Sequence, residues 1–438
     1  MADKKKKGVL DYGSLYRNAN EWLSIAQTTG NPQLTITNSR IDYSTAIANH
    51  LLLKQVKKGS YDNFVMSPVS IDIVLTMAAA GSRGPTLERM LVFLGAEDMD
   101  GIKSSAKAML AAAAGGDEGG AGGGPVLCMV NGVWVDKRFP LVESYRKEIL
   151  RGIYGCDAET VDFLHQAKEV EKKINSWAED ASKGLIKNLV QPGSISPETA
   201  IILANGLYFK GFWNDKFDAS LTEERDFFLL SSDAISVPFM ISYDKRYHYG
   251  SFDGFKVLKI PYRFQGPKLG RKFSIFSMYF FLPHKKVGLQ NLLKKLCSDS
   301  GSSEQDNYFN LSAERLDQVW IPKFEVSYGF DVSKTMDEMG MMFPSLGNPE
   351  DLTEMMKFPK GVPLPLFCSR MIQKAAIKVD EEGTEAAAVT TMSVQMCAYP
   401  APKEPKPSFI ADHPFMFMIR EEVSRLIFFQ GAVLNPSL

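Results

Sequence analysis

Tyr43, Ile47 and Leu51 recur at four-residue spacing within 42–58, which predicts a helix with one buried face. A second helix is expected over 71–80, with Ser70 placed to cap its start and Gly81 able to end it. Val170, Ile174, Trp177, Ala178 and Ala181 form an apolar stripe at helical spacing that Gly184 stops. The alanine run beginning at 108 passes into the glycine-rich stretch ending at 124, so a helix end running into a surface loop is expected there. No Gly-Lys-Ser/Thr follows those glycines, so they lack the pattern of a phosphate cradle. The second half of the chain changes period. Trp320, Phe324, Val326 and Tyr328 alternate with Ile321, Lys323, Glu325 and Ser327, as in a strand covered on one side, whereas 275–282 is almost continuously apolar, as in a strand covered on both. With no internal repeat, the pattern predicts an α+β chain with large sheets.

The segment 381–397 combines strand chemistry with the surroundings of a loop. Alternate side chains of an extended strand share a face, so Thr384, Ala386, Ala388, Thr390, Met392 and Val394 form one row, all small or apolar. Glu385, Ala387, Val389, Thr391, Ser393 and Gln395 form the other, suited to solvent or a partly polar cover. A short half-apolar strand precedes it at 373–379, and prolines at 400, 402, 405 and 407 follow, which no strand interior tolerates. Gly383 stands where the backbone must pivot.

At these residues the chain resembles the serpins. Glu381-Glu-Gly-Thr-Glu-Ala-Ala-Ala388 is similar to the family's hinge, and Phe409-Ile-Ala-Asp-His-Pro-Phe-Met-Phe417 with Phe428-Phe-Gln-Gly-Ala-Val433 to its carboxy-terminal strands. Asn63-Phe-Val-Met-Ser-Pro-Val-Ser-Ile71, Asn131-Gly-Val-Trp-Val135, Ile174-Asn-Ser-Trp177, Asn205-Gly-Leu-Tyr-Phe-Lys-Gly-Phe-Trp213 and Ile321-Pro-Lys-Phe324 extend the match, in the family's order, over 34–436. The resemblance implies one serpin domain over 34–438 after a flexible extension at 1–33, built of three β-sheets and about eight or nine helices, with an exposed reactive-centre loop near 381–408.

The resemblance also implies a protease inhibitor of the plant serpin type that acts as a suicide substrate. The target protease cuts the loop and forms its acyl-enzyme, and the severed segment then inserts into the central sheet and traps it. The hinge would be Glu381, Glu382, Gly383, Thr384, Glu385, Ala386, Ala387 and Ala388, of which the small side chains from Thr384 to Ala388 oppose insertion little. The family's loop length places the cut bond at Cys397–Ala398, preceded by Gln395 and Met396, with Met396–Cys397 as a neighbouring register. About 14 inserted residues at ~3.3 Å each would carry a tethered protease ~46 Å. A small, neutral, polarizable Cys397 fits elastase-like serine proteases or papain-like cysteine proteases better than trypsin-like ones. Ser67, Ser70 and Asn205 match the family's polar cluster under the opening of the sheet, where Gln373 stands in place of the usual histidine. Trp213 and Glu381 match positions at the top of that sheet. The alternative is a non-inhibitory serpin acting as a binding or chaperone-like protein, for which Gln373 and Val389 speak and the permissive hinge does not.

Composition narrows the remainder. The chain has 438 residues, 45% of them hydrophobic, enough for a large core. Fifty basic against 51 acidic side chains leave a net charge of -1, which favours neither nucleic acid nor an anionic membrane, and a monomer is expected. The run Lys4 to Lys7 reads as a solvated tail. Cysteines 128, 156, 297, 368 and 397 are widely spaced, with no Cys-x-x-Cys pair, so reduced thiols are expected rather than a disulfide framework or a metal site. The amino terminus lacks the apolar core of a secretory signal. A cytosolic or nuclear location follows, with an extracellular one left open by family analogy. No cofactor is called for. Nor is catalysis expected: there are five histidines and no Gly-x-Ser-x-Gly elbow, and a proline-rich stretch separates the conceivable pair Cys397 and His413.

Overall fold

The computed structural model of the chain describes residues 61–113, 125–263, 274–299, 303–339, 349–359, 368–384 and 406–438, with parts of a helix between 47 and 54. Ile47 and Leu51 of that helix are buried, as their spacing predicts. The next helix, α1 (Pro68–Ala80), begins three residues earlier than the sequence suggests. Its cap is Ser67, not Ser70: the Ser67 backbone is extended, its Oγ accepts from the Ser70 N–H at 3.0 Å, and Pro68 opens the first turn, where a missing N–H costs nothing. Every residue from Pro68 to Ala79 is buried, so α1 is a core helix rather than a surface one. Around it lie α2 (Gly84–Leu94), α3 (Met99–Ala113), α4 (Phe163–Ala181), α5 (Leu289–Ser298), α6 (Ser303–Phe309) and α7 (Val332–Glu338). The glycine-rich stretch after α3 falls outside the described residues.

A six-stranded sheet runs in the order β10 (Phe324–Asp331), β11 (Cys368–Asp380), β12 (Gly383–Thr384), β4 (Thr199–Phe212), β2 (Val126–Asp136) and β3 (Ala158–Val161). A second sheet runs β1 (Phe64–Met66), β15 (Ile427–Val433), β14 (Phe415–Glu421), β8 (Phe276–Pro283), β7 (Phe255–Pro261), β6 (Ala234–Phe252), β9 (Ser312–Pro322) and β13 (Phe409–Ile410), with β5 (Glu223–Phe228) paired to β6. The 19-residue β6 pairs with β5 over its first part, β9 over its middle and β7 at its end. Two of the three expected sheets are thereby hydrogen-bonded through one long strand.

β8 is buried along its whole length, as its continuous apolar run requires. The alternation read across 320–328 belongs to two strands: Ile321 and Pro322 are buried next to half-buried Trp320, and the chain changes sheets at Lys323 before Phe324 and Val326 resume a one-sided strand. Both faces of the six-stranded sheet are covered. Ile201, Leu203, Leu207 and Phe209 of β4 join the main core shared with α1 and the other sheet, while Ile202, Ala204 and Tyr208 meet Val170, Ile174 and Ala178 of α4. The α4 stripe is one residue shorter than its sequence spacing, because Ala181 is exposed at the last turn. The helix stops before Gly184: Ser182 is its cap, Lys183 takes the left-handed turn at φ +56°, and Gly184, at φ +85°, follows it and donates to Glu179 O at 2.7 Å.

Candidate functional site

The sheet is closed at one end and parted at the other. β4 and β11 pair directly and in parallel from Thr199 and Cys368 up to Tyr208 and Ala376. Beyond that point β12 lies between them, with Thr384 opposite Gly211 on one side and Val379 on the other, and Gly383 opposite Phe212 and Asp380. Gly383 has φ +149°, and a Cβ there would stand 2.0 Å from Gly211 O, so no other residue fits the pivot. Thr384 is fully buried and its Oγ lies 2.8 Å from the Tyr262 hydroxyl. Tyr262 stacks on Trp213 at 4.6 Å between ring centres, and burial pushes its phenol far above the ordinary tyrosine value, so it is neutral. Trp213 Nε1 donates to Asp380 O at 2.9 Å, and its backbone N–H to Glu382 O at 2.8 Å. The wedge is thus held by aromatic stacking and by backbone bonds on both flanks.

Ion pairs surround it. Glu381 receives Lys323 Nζ at 2.9 Å and the Thr222 hydroxyl at 2.7 Å, and Glu382 pairs with Lys216. Burial raises the Glu381 carboxyl, but the hydrogen bonds from Lys323 and Thr222 outweigh it and leave the pKa below the ordinary value of 4.5. Neighbouring Asp380 is shifted up, first by burial. A depressed carboxyl contributes stability that is complete above its unfolded value and is lost as pH falls through the folded one; Asp380 has the opposite sign. Glu381→Gln is therefore expected to cost about 1–3 kcal/mol at neutral pH and to flatten the loss of stability that the parent protein shows below pH 4.5. Paired denaturant titrations at neutral and acidic pH check it, and equal acid sensitivity in both proteins would contradict it.

Halfway down the seam, Asn131 of β2, Asn205 of β4 and Gln373 of β11 stand in direct register. Asn205 Nδ2 donates to Asn131 Oδ1 at 2.7 Å. Asn205 Oδ1, both amide atoms of Gln373 and the hydroxyl of Ser70 are buried without a hydrogen-bond partner among the described residues. Each such atom costs on the order of 1–3 kcal/mol.

The far end of the loop is fixed to the other sheet. Lys406 pairs with Asp244, which also holds Arg315 at 2.6 Å; those two bonds keep the Asp244 carboxyl well below its usual range. Asp317 N donates to Pro407 O at 2.9 Å, Lys256 Nζ to Ser408 O at 3.0 Å, and β13 pairs with β9. Residues 385–405, which include Glu385, Ala386, Ala387, Ala388, Gln395, Met396, Cys397 and Ala398, lie outside the described residues.

The structure thus gathers Trp213, Glu381, Glu382, Gly383 and Thr384 at the parted end, and Asn205 and Gln373 midway along the seam, with Ser67 and Ser70 at the start of α1. Sequence reasoning missed Tyr262, Thr222, Lys216, Lys323 and Asn131; only Asn131 and Lys323 sat within motifs already singled out. His413 is no free base: Nδ1 lies 2.7 Å from Asp412 Oδ1 and Nε2 2.8 Å from Pro283 O. Cys128, Cys156 and Cys297 form no disulfide among the described residues, and burial raises the Cys156 thiol to about 12. Among the described residues no helix is long and apolar enough to cross a membrane.

A two-residue strand thus lies between β4 and β11 at one end of a mixed sheet, and the chain beyond the undescribed residues 385–405 is fixed to a second sheet. The family model for serpin (serine protease inhibitor) matches residues 43–436, and the chain belongs to the serpin family. Serpin-ZX of Arabidopsis thaliana is 39% identical over 374 residues, covering 85% of this chain and 92% of that protein. Serpin-Z2B of Triticum aestivum is 37% identical over 381 residues, covering 87% and 92%. The structure of Arabidopsis AtSerpin1 in its native stressed conformation superposes with a TM-score of 0.78 at 34% identity, covering 93% of this chain and 99% of that one. The fold is the α+β serpin fold, of the plant type.

Proposed function

We propose that this protein inhibits proteases as a suicide substrate, and that its own buried groups perform no catalysis. The observation that carries the reading is the wedge: Thr384 sits between β4 and β11, in register with both. Extended along the same register, Ala386 and Ala388 would follow Thr384 toward the main core, and Thr390 would come between Asn205 and Gln373. Its hydroxyl, both donor and acceptor, would meet amide atoms that have no partner among the described residues. The other row, Ala387, Val389, Thr391 and Ser393, would meet the α4 side, a cover of apolar and polar groups rather than open solvent.

On this mechanism a protease cuts at Cys397–Ala398 and remains esterified to the upstream segment, which threads down the seam from Thr384 and carries the enzyme with it. Cys397 suits elastase-like serine proteases and papain-like cysteine proteases, and the widely spaced cysteines fit a cytosolic or nuclear setting. Incubation with one enzyme of each kind tests it. A complex that survives denaturing electrophoresis is expected; clean cleavage with no such complex would overturn inhibition and leave the non-inhibitory binding role.

A further inference from the structure

The outer strand β3 covers only part of β2. It pairs in parallel from Ala158 opposite Val133 to Val161 opposite Asp136, whereas β4 pairs with β2 all the way from Val126 to Val135. From Val126 to Gly132 the outer edge of β2 therefore has no strand against it among the described residues. An edge left in this way presents a row of N–H donors and C=O acceptors. Asn131 reaches toward the neighbouring chain with its side chain, Nδ2 to Tyr154 O at 3.4 Å, and leaves the backbone row as it is. Gly155, at φ +62°, bends the chain just ahead of β3, and a Cβ added there would touch nothing. The strand edge and the bend leave a notch between them.

That notch is a cleft of about 430 Å³, within the range of small-molecule sites. Its aromatic wall is built from Trp134 of β2 and Trp177 of α4, which meet edge to face at 4.9 Å and 81°. Gly132 lets both indoles settle onto the strand: an added Cβ would stand 2.3 Å from the Trp134 ring and 2.8 Å from the Trp177 ring. Trp134 is buried, and Trp177 is only partly so, which leaves Trp177 the ring surface on offer. Two carboxylates, Asp157 and Glu159, line the cleft, and among the described residues no cation does. Both carboxylates are already engaged, Asp157 by Arg151 and by Arg146 at 3.2 Å, Glu159 by Lys173.

Three properties of the cleft select its ligand. An indole wall favours a flat π-system, which stacks without regard to sequence or substituent. The strand edge beside that wall asks for a donor and an acceptor side by side in the plane of the ring. With carboxylates and no cation in the lining, an anionic group finds nothing to pair with. A neutral bicyclic heteroaromatic with adjacent donor and acceptor meets all three. We propose that this cleft binds a neutral purine-type base, stacked on Trp177 and hydrogen-bonded along the free edge of β2. The site lies on the far side of β2 from β4, away from the β4–β11 seam, and stands independently of the trapping mechanism above.

Adenine is the probe, titrated calorimetrically into the intact full chain, with indole and adenosine monophosphate compared. Adenine is expected to bind at a single site and to raise the melting temperature in excess ligand. Indole, flat but with one donor and no acceptor, should bind about tenfold more weakly, the factor for losing one hydrogen bond. The monophosphate should also bind more weakly than the base. Trp177→Ala should weaken adenine by about tenfold or more, and Trp177→Phe, which keeps a ring, by about threefold or less. Quenching of the parent's indole emission by adenine, with the same saturation as the heat, needs no variant and is expected as well. Absence of heat and of quenching overturns the site. Equal affinity for indole overturns the reading of the strand edge, and tighter binding of the monophosphate overturns the neutral base. Adenine binding that is unchanged in Trp177→Ala, or that leaves the parent's emission unquenched, puts the ligand elsewhere and overturns the proposal.

Discussion

Thr384→Arg is expected to abolish trapping while leaving cleavage intact, so that the protein becomes a substrate of the protease it is proposed to capture. Thr384 already occupies the seam, fully buried, with its hydroxyl 2.8 Å from Tyr262 and the Tyr262–Trp213 stack alongside. A guanidinium there would face a neutral phenol and two strand backbones. The carboxylates within reach are engaged: Glu381 by Lys323 and Thr222, Glu382 by Lys216. An unpaired buried charge costs about 3–5 kcal/mol, so the intact variant should expel residue 384 from the seam, insertion would have to bury it again, and the fraction of encounters ending in a stable complex should fall by roughly a hundredfold or more. Thr384→Ser, which keeps the hydroxyl, should trap normally. Densitometry of denaturing gels after reaction with an elastase-like protease reads both, and undiminished complex with the arginine variant would contradict the mechanism.

The residues that made this region legible in the sequence are those whose chemistry is periodic or unique. A row of small or apolar side chains at every second position from Thr384, after a glycine and before a cluster of prolines, has the period of a strand in the sequence alone, and the structure describes its first member, Thr384, as strand. Gly383 is legible for the same reason: at φ +149°, with backbone 2.0 Å from where a Cβ would be, the position admits nothing else. The groups that hold the wedge are a different matter. Tyr262 meets Thr384 across 122 residues of sequence, and nothing in its neighbours marks it.

Two misreadings have the same kind of cause. Ser67 and Ser70 are interchangeable as capping chemistry, and the choice between them was made by backbone torsions ahead of Pro68, which sequence spacing does not register. The alternation from Trp320 to Tyr328 continues through the point where the chain passes from β9 to β10, so the period hides a change of sheet. Lys323 at that change supplies the cation for Glu381, which is how a residue that reads as the polar side of a strand comes to brace the hinge.

Cutting the loop without forming a complex is expected to raise the melting temperature by on the order of 10 °C or more. In the intact chain the proximal end is already seated at Thr384, but the distal end is fixed to the other sheet by Lys406–Asp244, by Asp317 N to Pro407 O, by Lys256 to Ser408 O and by the β13–β9 pairing. A continuous chain cannot thread the length of the seam unless that anchorage is stripped. Severed, the upstream segment is free to enter and to hydrogen-bond on both edges, to β4 and to β11, where each new bond contributes about 1 kcal/mol. Thr390 would also reach Asn205 Oδ1 and the Gln373 amide, which have no partner among the described residues. Calorimetry of intact and nicked protein measures the difference, and coincident transitions would mean that the intact molecule stores nothing for insertion to release. The same comparison on Thr384→Arg separates cutting from threading: the nicked variant should melt at the same temperature as the intact variant, because its loop is severed but the arginine bars the entrance to the seam.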